Sequence, residues 1–191
     1  MSQLAFTRND SPTVGVEIEL QLVDSETMEL ANRIEDVLNA LPDDMRQSIK
    51  PELMQSYLEI NTGVCRTVRE AGDDLRGKLK IVEEAIDPLG LQLFWAASHP
   101  FSSWRDQKIT VDDRYFRLVD LMQDVARRLV TFGLHVHVGV ETGDKAVHLC
   151  DRMTTYLPLL LSLSSNSPFW EGRSTGLHSN RSKIMEGLWP T

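Results

Sequence analysis

Apolar and polar residues alternate almost perfectly over residues 14–23. Every second position from Val14 to Leu22 is Val, Ile or Leu, and the positions between them are Gly, Glu or Gln. A period of two with β-branched residues predicts a strand that buries one face and leaves the other polar. Glu17 and Glu19 would then project from the same polar face.

Further strands are predicted at residues 56–62, 91–98 and 134–140. The last of these repeats the arrangement of the first, because Leu and Val occupy one face while His135 and His137 occupy the other. In the 56–62 segment, Glu59 would share its face with Tyr57 and Asn61. The sequence therefore predicts strands with apolar residues on one face and Glu or His on the other.

Apolar residues recur at spacings of three and four in other segments, which predicts helices with one buried stripe. The predicted helices cover residues 31–41, 67–87, 112 or 113 to 131, and 143–164. Proline ends the first two helices and bends the last, at Pro42, Pro88 and Pro158. These elements predict an α+β class, with a mostly antiparallel sheet and helices on its apolar face. Without an internal repeat or a linker, residues 1–191 form a single predicted domain.

The composition is ordinary for a globular domain, with 41% hydrophobic and 25% charged residues among 191. The 28 acidic and 20 basic residues give a formal net charge of −8. That acidic surplus disfavours nucleic acids and anionic membranes as partners, because both attract basic surfaces. The most apolar stretch, residues 156–163, is far shorter than the roughly 20 residues that span a bilayer.

Cysteine usage and the start of the chain bear on the compartment. Cys65 and Cys150 are isolated and form no CxxC motif, so neither a disulfide framework nor a zinc site is indicated. The first ten residues lack the apolar core of a signal peptide. We therefore predict a cytoplasmic protein.

Two pairs of glutamates are candidates for chemistry. The Cα atoms of Glu17 and Glu19 would lie about 6.7 Å apart along their strand, so their carboxylates can converge on a cation. The alternative is an exposed face that carries solubilising acids. Glu52 and Glu59 are separated by an odd number of residues, so a regular strand would place them on opposite faces. They can share a site only if the chain bends or bulges near residues 54–56.

His135 and His137 can bind a metal such as zinc if a third ligand joins them, or form a polar cross-strand pair. Near the end of the chain, residues 173–183 combine Arg173 and Arg181 with hydroxyl and glycine residues, a mixture that can hold phosphates. An oxygen-rich sheet face suits Mg²⁺, which bridges to substrate phosphates. The residues therefore favour phosphoryl transfer over zinc hydrolysis.

Several short motifs, in this order, resemble the bacterial carboxylate–amine ligase branch of the glutamate–cysteine ligase superfamily. They are GVEIE at 15–19, Glu52 and Glu59 followed by NTGVC at 61–65, SHPF at 98–101, GLHVHVG at 133–139, SPFW at 167–170, and TG to SNR between 175 and 181. The resemblance covers nearly the whole chain from residue 13, and its specificity lies in the joint order of the motifs.

The resemblance implies a glutamine-synthetase-like curved sheet whose polar face holds Mg²⁺, ATP and an amino acid. It also implies a reaction in which ATP phosphorylates a carboxylate and an amine then displaces phosphate to form an amide. The family's metal-binding acids match Glu17, Glu19, Glu52 and Glu59. His135 matches a residue near the transferred phosphate or substrate, and Arg181 matches an anion contact. We assign nucleotide binding to Arg173, Arg181 and His137.

Members of the family are about twice as long as this chain, which ends inside a familiar segment at residues 187–191. We therefore expect a truncated, N-terminal half of the catalytic domain that self-associates as a homo-oligomer across an exposed sheet edge. Its expected substrates are a glutamate-like carboxylate and an amine. Two alternatives stay open: a truncated, non-catalytic module that binds nucleotide or metal, and a metallohydrolase that uses His135 and His137.

Overall fold

A computed structural model describes residues 6–187, and the terminal segment at 188–191 lies outside the described residues. Its central strand is β1 (Thr13–Asp24), which pairs with β3 (Tyr57–Asn61) along one side. On the other side, β5 (Leu134–Gly139) pairs with the first half of β1 and β4 (Leu91–Phe94) pairs with its last residues. β2 (Ile49–Pro51) pairs with the outer edge of β3. Every pairing between the strands of this sheet is antiparallel, which confirms the predicted kind of sheet.

The helices include the four predicted segments, with different bounds, and one further helix near the end of the described residues that was not predicted. They are α1 (Ile34–Ala40), α2 (Val68–Ile86), α3 (Asp113–Met122), α4 (Asp124–Arg127), α5 (Gly143–Met153), α6 (Leu157–Ser164) and α7 (Asn180–Glu186). A separate two-stranded ribbon is formed by β6 (Phe169–Trp170) and β7 (Arg173–Ser174). Among the described residues, no helix combines the length and the apolar character that crossing a membrane requires.

Two predicted helices are interrupted. The helix expected up to residue 131 breaks at Gln123, whose φ of 51° and ψ of −129° separate α3 from α4. The helix expected over 143–164 breaks at a 3₁₀ turn, Thr154–Tyr156, rather than at Pro158. Pro158 lies in the first turn of α6, where a missing N–H removes no helical hydrogen bond. The prediction of a bend at Pro158 was therefore wrong in its position.

The main core lies between the apolar face of the sheet and helices α1 and α2. Its buried residues include Leu20 and Leu22 of β1, Ile60 of β3, Val37 of α1 and Val82 of α2. Ile18, Leu20 and Leu22, which are even-numbered residues of β1, face this core, as the alternation predicts. Helices α1 and α2 therefore cover the apolar face over the second half of β1 and over β3, whereas the apolar residues of β5 stay exposed.

A second core covers one end of the opposite face, which the sequence predicted to be polar. There the odd-numbered positions of β1 change from Glu to Val23, which is fully buried with Tyr57. Tyr115 and Val119 of α3 and the neighbouring Phe132 complete this core. The polar face is thus closed at one end by α3 and α4, and it stays open where Glu17 and Glu19 lie.

Candidate active site

The strand register brings three predicted site residues onto one face of the sheet. Glu19 lies directly opposite Glu59, and Glu17 lies directly opposite both Asn61 and His135. Directly opposed residues in an antiparallel sheet project from the same face. Glu17, Glu19 and Glu59 therefore form one acidic patch beside the second core.

Glu52 reaches the same patch because the chain reverses between β2 and β3. Lys50 pairs with Glu59 and Pro51 pairs with Leu58, so Glu52 follows directly where the two strands separate. The reversal occurs at residues 55–56, which confirms the bend that the odd spacing required. The Oε2 atom of Glu52 accepts the N–H of Leu53 at 3.1 Å. Its charge contributes to the raised pKa values of Glu19 and Glu59.

Glu17 connects the two histidines of β5. Its Oε1 atom lies 2.7 Å from Nδ1 of His135, and its Oε2 atom lies 3.4 Å from Nε2 of His137. Partial burial acts to raise the pKa of Glu17. The hydrogen bond and charge of His135 and the charge of His137 outweigh that effect, so the pKa of Glu17 is lowered.

Glu19 and Glu59 have raised pKa values because both lie partly in the protein interior. Burial is the main cause at Glu19, and it exceeds the opposing effect of the Gly133 N–H, which donates to Oε2 at 2.6 Å. Glu59 is only 8% exposed, and its burial outweighs the Asn61 amide that donates to Oε1 at 2.6 Å. Neighbouring carboxylates raise both pKa values further. A cation would relieve this repulsion.

The four carboxylates supply the oxygen ligands that Mg²⁺ prefers, and their mutual repulsion fits a site for positive charge. Within residues 6–187, no three or more His, Cys, Asp or Glu side chains lie together in a geometry that could hold a metal ion. The carboxylates are directed instead at protein donors, namely His135, Gly133, Leu53 and Asn61. Cation binding by this patch would therefore require its side chains to turn away from those donors.

The arginines predicted to bind anions lie outside this patch. Arg173 lies in the β6–β7 ribbon opposite Trp170, and it is exposed. Arg181 lies in α7, where its backbone N–H donates to Ser167 Oγ at 3.1 Å. Its buried Nε atom has no hydrogen-bond partner among the described residues. In the part of the chain that the structure describes, neither guanidinium forms a hydrogen bond or ion pair with the acidic patch.

Tertiary contacts add residues that the sequence reasoning missed. The hydroxyl of Tyr115 accepts a hydrogen bond from the Arg114 guanidinium and donates to the Pro51 carbonyl at 3.4 Å. Burial raises the pKa of Tyr115, and the charge of Glu52 adds to that rise. The apolar spacing that predicted this helix did not include Tyr115, so no sequence signal identified it. Gly133 was likewise known only as part of a motif.

Replacing Glu19 by Gln should stabilise the chain above neutral pH. The folded state raises the pKa of Glu19, so stability is lost as pH rises from the ordinary Glu pKa through the raised value. We expect the unfolding midpoint to increase by about 2–4 °C at pH 8, the change that about 1 kcal/mol gives in a chain of this size. The difference should nearly vanish at pH 3, where the Glu19 carboxyl is protonated in both states.

Thermal unfolding at the two pH values measures this effect, and Glu83→Gln on the exposed face of α2 is the matched control. Equal midpoints for Glu19→Gln and the unsubstituted chain at pH 8 would show that ionisation of Glu19 does not destabilise the folded state.

Comparisons with known proteins place these residues in a family context. The family model described as glutamate-cysteine ligase family 2 (GCS2) matches residues 13–191. A Gloeobacter violaceus protein is 41% identical over 187 residues, which cover 97% of this chain and 50% of the relative. A Rubrobacter xylanophilus protein is 44% identical over 178 residues, which cover 93% of this chain and 47% of the relative. Both carry provisional names as glutamate–cysteine ligase 2 proteins, and the chain spans about half their length.

Solved structures show a similar fold at low sequence identity. The glutamate–cysteine ligase of Francisella tularensis, solved in complex with AMP, matches with a TM-score of 0.57 and 12% identity, over 79% of this chain and 30% of that one. A bifunctional glutathione synthetase of Pasteurella multocida matches with a TM-score of 0.54 and 16% identity, over 77% and 19% of the respective chains. These matches confirm the mixed helix and antiparallel sheet predicted from the sequence.

Proposed function

The chain belongs to glutamate–cysteine ligase family 2, and on this premise we propose that it carries part of the active site of an ATP-dependent carboxylate–amine ligase. The observation that carries the proposal is the convergence of Glu17, Glu19, Glu52 and Glu59 on one open sheet face. The AMP in the Francisella tularensis ligase adds support for nucleotide use.

The proposed reaction follows from the chemistry of a carboxylate. Its negative charge repels an amine, so the γ-phosphoryl group of ATP is first transferred to a carboxylate oxygen and ADP leaves. The amine then forms a bond to the acyl carbon, and phosphate departs with the electrons of the C–O bond. Such transfers depend mainly on positioning and charge neutralisation. Of the possible products, a glutamate–cysteine amide is the one that the family name suggests.

Each residue has a proposed role in this scheme. Magnesium ions held by Glu17, Glu19, Glu52 and Glu59 would neutralise charge on the ATP phosphates. His135 directs Nδ1 to Glu17, which leaves Nε2 as the atom that can contact a phosphate or the substrate. His137, Arg173 and Arg181 stay predicted nucleotide contacts, supported by the resemblance of their motifs. The cytoplasmic location and the homo-oligomeric state also stay predictions.

An assay of ADP release tests the function. We would measure a chimaera in which this chain replaces the matched half of the Gloeobacter violaceus relative, and that intact relative is the positive control. With ATP and Mg²⁺, the chimaera should release ADP and form an amide only when a carboxylate substrate such as glutamate and an amine such as cysteine are present. Absence of amine-dependent ADP release across a broad amine panel, with an active control, would contradict the proposal.

Calorimetry on the chain itself separates the alternatives. We expect ATP to bind in the presence of Mg²⁺ and to lose most of its affinity when EDTA removes the cation. Binding by a chimaera that never turns over would favour a non-catalytic module. Tight zinc binding with hydrolysis that needs no ATP would favour a metallohydrolase built on His135 and His137, whose imidazoles both lie near Glu17.

A further inference from the structure

His99 is a buried histidine, 2% exposed, in a motif to which the proposed reaction gives no role. Its Nδ1 atom lies 2.9 Å from the backbone nitrogen of Ser102, and its Nε2 atom lies 3.0 Å from the carbonyl oxygen of Met28. A backbone N–H can only donate and a carbonyl can only accept, so Nδ1 is the acceptor and Nε2 carries the proton. The two contacts therefore fix His99 as one neutral tautomer.

These contacts join two segments that are distant in sequence. Met28 lies in the turn that follows β1, with a φ of 60°. Ser102 lies in the loop of residues 98–103 that follows β4, and its Oγ atom accepts the N–H of Leu30 at 3.0 Å. His99 therefore lies at the centre of the contact between the turn and the 98–103 loop.

The same loop holds the tip of the β6–β7 ribbon. The N–H of Gly172 donates to the Pro100 carbonyl at 2.9 Å. Glu171 Oε1 accepts hydrogen bonds from Ser103 Oγ and from the Arg105 guanidinium, each at 2.9 Å. Glu171 and Gly172 have φ values of 48° and 77°, a conformation that residues other than glycine rarely adopt. The ribbon tip is thus a strained turn that depends on the loop for its contacts.

We propose that protonation of His99 releases the 98–103 loop from the turn at Met28 and so frees the tip of the β6–β7 ribbon, which carries Arg173. A protonated imidazole has an N–H at both ring nitrogens. The Nδ1–H would then face the N–H of Ser102, so two donors would meet and their hydrogen bond would be lost. The neutral imidazole thereby makes the attachment of the ribbon tip sensitive to acid.

The release is confined to the ribbon tip. The base of the ribbon is held without His99, because Asn166 Oδ1 accepts the N–H of Ala97 at 3.1 Å and Ser167 Oγ accepts the N–H of Arg181 at 3.1 Å. Local openings of this kind require less free energy than global unfolding. The inference concerns how the ribbon is held, so it does not rest on the ligase activity.

The pH range follows from the pKa of His99. Burial lowers that pKa below its ordinary value of 6.5, and the hydrogen bond to Met28 opposes burial without outweighing it. In the released state His99 is solvated and therefore binds more protons than in the attached state below pH 6.5. The attached state consequently loses stability as pH falls from 6.5 through the lowered pKa.

The charged groups on the elements that pack against His99 are few. They are Asp24, Glu26 and Glu29 in the turn, and Arg105 and Glu171 beside the loop. Asp24 accepts N–H groups of its own turn, which lowers its pKa, and Arg105 pairs with Glu171 at 2.9 Å. β4 contributes no charged side chain. Of these residue types, only histidine has an ordinary pKa between 5 and 8.

Nuclear magnetic resonance of the unsubstituted chain tests the proposal. The imidazole nitrogen shifts should place the proton of His99 on Nε2 at pH 7, and their titration should give a pKa below 6.5. Protection of the Gly172 amide from hydrogen exchange, corrected for the intrinsic pH dependence of exchange, should fall by about tenfold between pH 7 and pH 5. The Leu22 amide of the central strand should stay better protected at both pH values, because the release is local.

His99→Asn supplies the decisive variant, since its side chain keeps an acceptor near the position of Nδ1 and cannot take up a proton. In this variant the protection of the Gly172 amide should not fall between pH 7 and pH 5. His148→Asn, at an exposed position of α5, is the matched control and should retain the fall.

Four results would overturn the proposal. Two come from the unsubstituted chain and need no variant: a His99 proton on Nδ1 at pH 7, or a pKa of His99 at or above 6.5. Equal protection of the Gly172 and Leu22 amides at pH 5 would show global unfolding instead of local release. A fall in protection that His99→Asn retains would assign the pH dependence to another group.

Discussion

Replacement of Glu59 by Gln should reduce amine-dependent ADP release by the chimaera by about 100-fold or more, a loss typical of disrupted metal coordination. Glu59 lies opposite Glu19 at the centre of the acidic patch, and its carboxylate is the most enclosed predicted ligand, at 8% exposed. An amide keeps the size of the side chain and can still accept from Asn61. It removes the negative charge that a divalent cation requires.

The same substitution should not weaken the fold. Burial and the charges of Glu17 and Glu52 raise the pKa of Glu59, so the neutral amide removes an unfavourable charge above that pKa. Thermal unfolding at pH 8 should therefore give a midpoint equal to or above that of the unsubstituted chain. Glu83→Gln serves as the control for activity and stability. Turnover unchanged by Glu59→Gln would remove Glu59 from the proposed site.

Replacement of Tyr57 by Ala should destabilise the chain by about 3–5 kcal/mol, the usual cost of removing a buried aromatic ring. The ring of Tyr57 is fully enclosed in the second core, 4.9 Å from the ring of Phe132 in an edge-to-face arrangement. Tyr57 also precedes Glu59 by two residues on the same strand face. Loss of the ring should therefore disturb the packing next to the acidic patch as well as the packing of the second core.

Tyr57→Phe is the matched control, because it retains the ring and its contact with Phe132. Denaturant unfolding should show a small loss for Tyr57→Phe and a large loss for Tyr57→Ala. If the two variants lose the same stability, the hydroxyl rather than ring packing is the main contribution of Tyr57.

The local pattern of apolar and polar residues predicted elements correctly where one face of the element is buried. The alternation around Glu17 predicted β1 to within one residue at each end, and helical spacing predicted α2 almost completely. It failed where backbone conformation departs from the regular form. Gln123 adopts a positive φ that no spacing of apolar residues indicates, so α3 and α4 were predicted as one helix. The strand β2 is too short for its pattern to be distinguished from a loop.

The sequence by itself determined which face of each strand is polar, because side chains alternate with a fixed period of two. It also showed that Glu52 and Glu59 could meet only if the chain turned between them. Only the tertiary structure decided that Glu52 lies near enough for its charge to raise the pKa of Glu59. It also decided that Glu19 lies opposite Glu59, and that Glu17 lies between His135 and His137. Register and chain reversal depend on contacts between residues distant in sequence, and those contacts leave no local pattern.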